Sequence, residues 1–177
     1  MKSINTEQLA GMGIHYHYYS LDYMLEAQKR AGYTSMELFC AAPHVQLTAA
    51  GVAERRELVD KLKGSGQKIV CVTPDNCMGP WQYAARGEET IGQCREYFRH
   101  VLELAAELGC TRVACHSGWG LLDEPEQVAW KRSVDFMSWY AEAAGRLGIT
   151  LVCESLRPEE TNLVNRSEEH TSELQSP

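Results

Sequence analysis

The sequence has no C-x-x-C pair among its seven cysteines, which excludes a zinc ribbon or a thioredoxin-like dithiol. It has no window of eighteen apolar residues, so no transmembrane helix and no membrane partner is expected. The opening MKSINTEQLAGMG lacks the apolar run of a secretory signal. Basic residues are not in excess: the net charge is −7, against the footprint of a nucleic-acid-binding surface. There is no P-loop. A glycine-rich turn after an early strand is also missing, since Gly11 and Gly13 stand at the front of the first expected strand. That absence argues against a dinucleotide-binding Rossmann fold.

What is present is an ordinary globular composition, 44% apolar and 23% charged over 177 residues, enough for one domain with a core. Several cysteines lie inside apolar runs (KIVCV, RVACH, TLVCES), where a thiol behaves as a small hydrophobe. An odd number of such thiols fits a reducing, cytoplasmic setting.

Short apolar runs alternate with longer helical patterns. The runs are MGIHYHYY, SMELFC, KIVCVTP, TRVACHSG and ITLVCES. The last three are apolar nearly throughout, as parallel strands buried on both faces are. Between them, Ile91, Cys94, Phe98, Val101, Ala105 and Leu108 recur at helical spacing, as do Val128, Val134, Met137, Ala141, Ala144 and Leu147. Weaker stripes run through Leu21, Met24, Leu25 and Gln28, and through Val52, Leu58, Val59 and Leu62. Glycines close the helices just before the next strand (RAGYTS, KGSGQK, ELGCTR, RLGITL), in the position of a left-handed cap. The order β-α-β-α-β-α-β-α-β implies right-handed crossovers and a parallel sheet. The expected fold is α/β, four and a half βα units of a (β/α)8 TIM barrel. It is an incomplete one, because a full barrel takes about 250 residues.

Active sites of such barrels lie at the C-terminal ends of the strands. The residues there are His15 and His17 after strand one, Glu37 and His44 on and after strand two, Asp75 after strand three, His116 and Trp119 after strand four, and Glu154 after strand five. Each also has a plainer reading. The first two histidines are equally well mouth residues, Glu37 a paired structural carboxylate, and Asp75 a turn cap. His116 can bond a substrate hydroxyl or a metal. Glu154 closes an apolar strand, where a carboxylate needs a partner to be buried, and a divalent cation is an economical one. Trp81, Tyr83 and Trp119 read either as walls of a sugar pocket or as loop packing.

The stretches AGYTSMELFCAAPHV, VTPDN, HSGWG and above all LVCESLRPEETN resemble the sugar phosphate isomerase/epimerase family, the xylose-isomerase-like TIM barrels. The likeness is greatest to its ketose 3-epimerases, including the fructoselysine epimerase branch. It covers roughly residues 11 to 165, and its most specific element is E-x-L-x-P-x-E-x-N after strand five. The resemblance implies that Glu154 is the first metal-binding glutamate, one that also exchanges a proton with the substrate. By the same resemblance Glu160 and Asn162 lie in the substrate-contacting loop, with His116 lining the pocket at the end of strand four and Glu37 as the strand-two glutamate; Trp119 joins them as a substrate-binding candidate on its position alone. It further implies a divalent cation (Mn2+, Mg2+ or Co2+), a small sugar substrate and a reaction through an enediolate. The remaining ligands, an Asp, a His and a second Glu, are expected from later strands. A homo-oligomer is a further expectation for the parent protein. The apurinic-site endonucleases of the same barrel family use three zinc ions and a histidine at the end of strand three, where this chain has TPDN. An aldose–ketose isomerase would use the same enediolate, and a non-catalytic half-barrel would need none of these residues for chemistry.

After Asn165 the chain reads RSEEHTSELQSP. A common sequencing-adapter DNA translates in frame as the same residues from Arg166 to Ser176. The expected division is therefore 1–165 as a partial barrel and 166–177 as adapter read-through that belongs to no site, with the written chain inactive by itself.

Overall fold

The computed structural model describes residues 5–45, 47, 52–75 and 80–166. Five parallel strands alternate with four helices: β1 Gly11–Met12, α1 Leu21–Arg30, β2 Ser35–Cys40, α2 Val52–Gly64, β3 Lys68–Pro74, α3 Glu88–Glu107, β4 Arg112–Cys115, α4 Glu126–Arg146 and β5 Thr150–Cys153. The sheet order is β1-β2-β3-β4-β5. Each strand therefore pairs with the one before it in sequence, as in the wall of a TIM barrel. His170 and the stretch 167–177 lie outside the described residues, as does Cys77. No helix of the described residues is long and apolar enough to cross a membrane.

Alternation along β2 sets the two faces of the sheet. Met36, Leu38 and Cys40 are buried against the helices, whereas Ser35, Glu37 and Phe39 point to the opposite, barrel-interior side. Neighbouring β3 carries a bulge. Met36 pairs with Ile69 but Glu37 pairs with Cys71, so Val70 is the extra residue. Two residues of β3 thus oppose one of β2, and Ile69 and Val72 still reach the core.

The helices seat mainly through α3 and α4. Cys94, Phe98, Val101 and Ala105 of α3 are buried as their spacing predicts. On α4 the structure corrects the expected stripe. Val128, Val134 and Leu147 are exposed, and the buried face is Ala129, Ser133, Phe136, Tyr140 and Ala144. The true period passes through a serine and small alanines, which carry little apolar signal. Phe98, Phe136, Tyr140 and the loop residue Tyr83 form one aromatic cluster, with Tyr83 4.7 Å from Phe98 and 5.2 Å from Phe136. The helix-ending glycines behave as read: Gly109 and Gly148 have φ of 69° and 68°, a conformation that costs glycine little.

Two further expectations change. Strand one is only two residues long, and Gly13–Tyr16 is a turn of 3-10 helix. His15 and His17 are exposed outside any strand, and His17 Nδ1 is bonded to the Ile14 carbonyl at 2.8 Å. The aromatic run HYHYY mimics strand composition, but Tyr16 and Tyr19 pack their rings against Tyr23 of α1 instead. β5, expected to be buried on both faces, is largely exposed, with Val152 at 45%. Among the described residues no strand pairs with its outer edge.

Candidate active site

The interior face of the sheet forms a groove of about 820 Å³ lined by Glu37, Val70, Cys71, Arg112, Ala114 and Val152, with Cys153, Glu154 and Ser155 at its end. The bulge is why both Val70 and Cys71 contribute. Glu37 is half-buried here and accepts a hydrogen bond from the Thr73 hydroxyl at 2.5 Å. Cys71 sits beside it; burial pushes its thiol pKa up, and the Glu37 charge adds to the shift.

Glu154 continues the β4–β5 ladder, its N–H donating to the Cys115 carbonyl at 2.9 Å. Its side chain is exposed. The desolvation argument for a buried carboxylate therefore does not apply to it. What marks Glu154 out is its place, at a strand end and on the same groove as Glu37.

His116 and Glu160 lie on the loops after β4 and β5, outside the groove lining. His116 is 7% exposed. Gly118 N–H donates to its Nδ1 at 3.1 Å, which leaves the proton of the neutral ring on Nε2. Burial lowers its pKa to about 4, with the Glu160 charge opposing. The Tyr83 ring lies 5.8 Å away. Glu160 is gripped by the Arg157 guanidinium through Nε (3.1 Å) and Nη2 (3.0 Å). That fork holds its carboxyl below the usual carboxylate range, and His116 contributes in the same direction. A bidentate fork of this kind fixes orientation as well as charge.

Asn162 is placed differently from a free substrate contact. Its Oδ1 accepts from Gly120 N–H at 2.8 Å and its Nδ2 donates to the Gly120 carbonyl at 3.2 Å. Trp119 is half-buried, with its backbone N–H donating to Gln82 Oε1 at 3.4 Å. Trp81 stacks on Tyr97 at 5.9 Å. Tyr83 thus belongs to the core, and Trp81 packs against it. His44 is tied through Nε2 to the Tyr19 carbonyl at 2.7 Å. Asp75 N–H donates to the Cys40 carbonyl at 3.3 Å.

Several residues of this region escape sequence reading. Ser117, buried, contacts Thr161 Oγ1 at 3.1 Å and accepts from Val164 N–H at 3.1 Å. Thr161 donates to the Gly118 carbonyl and accepts from Leu163 N–H at 3.1 Å. Ser133 of α4 donates to the Ser117 carbonyl at 2.6 Å. The two loop glycines are required by close approach. A Cβ on Gly118, at φ +71°, would lie 2.9 Å from Tyr83 N, and one on Gly120 would lie 2.3 Å from Ala129 Cβ. Their spacing in HSGWG was the available signal; the hydroxyls carry none.

Fold and site together can be set beside known proteins. The chain is 26% identical over 139 residues to fructoselysine 3-epimerase of Escherichia coli O157:H7, covering 75% of this chain and 48% of that protein. It therefore spans about half the length of the curated relatives it matches. D-psicose 3-epimerase of Clostridium cellulolyticum H10, crystallised with D-tagatose, superposes with a TM-score of 0.73 at 16% identity, over 94% of this chain and 58% of that one. A xylose isomerase-like TIM barrel protein of Mycobacterium smegmatis in complex with magnesium gives 0.68 at 14% identity, over 94% and 60%. At such identities these two likenesses establish the barrel wall alone. The family model of the xylose isomerase-like TIM barrel matches residues 25–175, across four of the five strands and both site loops, and the chain belongs to that family.

Proposed function

We propose that this chain carries the first half of the site of a sugar epimerase or isomerase acting beside the carbonyl of a ketose or sugar phosphate. The observation that carries the reading is the placement of Glu154 and Glu37 on one groove, with the ionised Glu160 beside a neutral His116 on the adjoining loops. The likeness to fructoselysine 3-epimerase, and in fold to D-psicose 3-epimerase, supports the same chemistry.

In this reading Glu154 takes the proton from the carbon next to the carbonyl, as a positioned carboxylate base does. A second carboxylate, outside the described residues, returns a proton on the other face. Glu160 accepts a hydrogen bond from a sugar hydroxyl, and the Nε2–H of His116 donates one to an oxygen. Trp119 and Glu37 complete the pocket, and Asn162 acts through the Gly120 backbone.

A divalent cation (Mn2+, Mg2+ or Co2+) belongs to the proposal, since one structural neighbour is a magnesium complex. When bound, such an ion offsets the negative charge that develops on the substrate oxygens. The described residues do not make its site: they contain no group of three or more His, Cys, Asp or Glu able to hold a metal. Glu154 is one donor where such ions take about four to eight, so no step is assigned through the ion. Calorimetric titration with Mn2+ should show no tight site on this chain; micromolar binding would overturn that assignment.

The decisive test of the function is to read the source gene onward from codon 165. We expect the RSEEHTSELQSP codons to be replaced there by a continuation with Asp, His and Glu at later strand ends. A continuation without them sinks the epimerase reading, and one rich in added histidines favours the zinc nuclease.

A further inference from the structure

His116 and Glu160 are 44 residues apart, on different loops, yet Glu160 opposes the lowering of the His116 pKa and His116 helps to lower that of Glu160. Their immediate neighbours in sequence explain how. Ser117 follows His116, and Thr161 follows Glu160. The two hydroxyls meet at 3.1 Å, and both residues are buried, at 5% and 2% exposure. Thr161 also donates to the Gly118 carbonyl and accepts from Leu163 N–H. Ser117 accepts from Val164 N–H, and its carbonyl is held by Ser133 of α4. One residue beyond Thr161, the Asn162 carboxamide closes on both polar groups of Gly120, three residues beyond Ser117. The contacts form a continuous clasp from α4 through the β4 loop to the β5 loop.

We propose that Thr161 is a positioning residue, which through Ser117 locks the β5 loop onto the β4 loop and so sets the juxtaposition of Glu160 and His116. Its hydroxyl acts both as donor and as acceptor, so valine, of similar shape, cannot replace it, whereas serine can. Both hydroxyls are taken up by bonds within the protein. Their part in turnover rests on the function proposed above, but the clasp itself can be tested without sugar or metal, so the two can fail separately.

The test is a cross-term measured by NMR on the chain at neutral pH. In the parent, Glu160→Gln should move the ring nitrogen resonances of His116. The same displacement should persist in a Thr161→Ser background and vanish in Thr161→Val. A displacement of equal size in Thr161→Val overturns the proposal, because a residue with only a general structural role leaves the Glu160–His116 coupling intact. If Thr161→Val does not fold, Ser117→Ala removes the same contact from the β4 side and is judged by the same cross-term. Hydrogen exchange of the parent gives an independent reading. The Leu163 and Val164 amides should be protected together, and exchange of either at the unprotected rate overturns the clasp.

Discussion

At the scale of single residues, His116 makes the chain sensitive to acid. In the folded chain burial lowers its pKa from 6.5 to about 4. As the pH falls from 6.5 to 4 the unfolded chain takes up a proton that the folded chain refuses, so stability falls across that window and levels off below it. The loss attributable to His116 is at most about 3 kcal/mol. Urea denaturation of His116→Gln should show a flatter pH dependence between those limits, with no change above pH 7 in the slope of stability against pH. Tyr140 offers a test of the opposite sign. It is fully buried, and its hydroxyl has no hydrogen-bond partner among the described residues. An unsatisfied buried polar group costs about 1–3 kcal/mol. Tyr140→Phe should therefore leave the melting temperature unchanged or raise it; a clear fall would reveal a partner for the hydroxyl.

At the scale of elements, α4 separates apolar residues that matter from those that do not. Phe136 is 2% exposed inside the aromatic cluster, whereas Val134 is 37% exposed. Phe136→Ala should cost about 3–5 kcal/mol and Val134→Ala less than about 0.5 kcal/mol, both read from denaturant midpoints. The sequence pattern favoured Val134 because hydropathy ranks it above Ser133, whose burial depends on a bond to the Ser117 carbonyl. The same blindness explains what was legible in the site. Glu154, Glu160 and Asn162 stand out through a spaced motif. Ser117, Thr161 and Gln82 do not, because a hydroxyl or carboxamide that bonds backbone leaves no periodic trace. The strand–helix order was readable throughout, since glycine caps and apolar runs are local signals. The brevity of β1 and the exposure of β5 were not, since they depend on what lies beside each strand.

At the scale of the whole molecule, β5 presents a row of backbone groups with no pairing strand among the described residues, and its Val152 is 45% exposed. Edges of this kind template association. Sedimentation velocity at rising concentration should show growing species, and Val152→Lys should reduce them; a concentration-independent monomer would count against this. The sheet order β1-β2-β3-β4-β5 has one more consequence. Because each described strand after β1 docks on its immediate predecessor, none of them waits for a later partner on that side. On a ribosome each new strand–helix unit meets a finished edge as soon as it emerges. The growing sheet is then, at every stage of translation, a valid shorter version of itself.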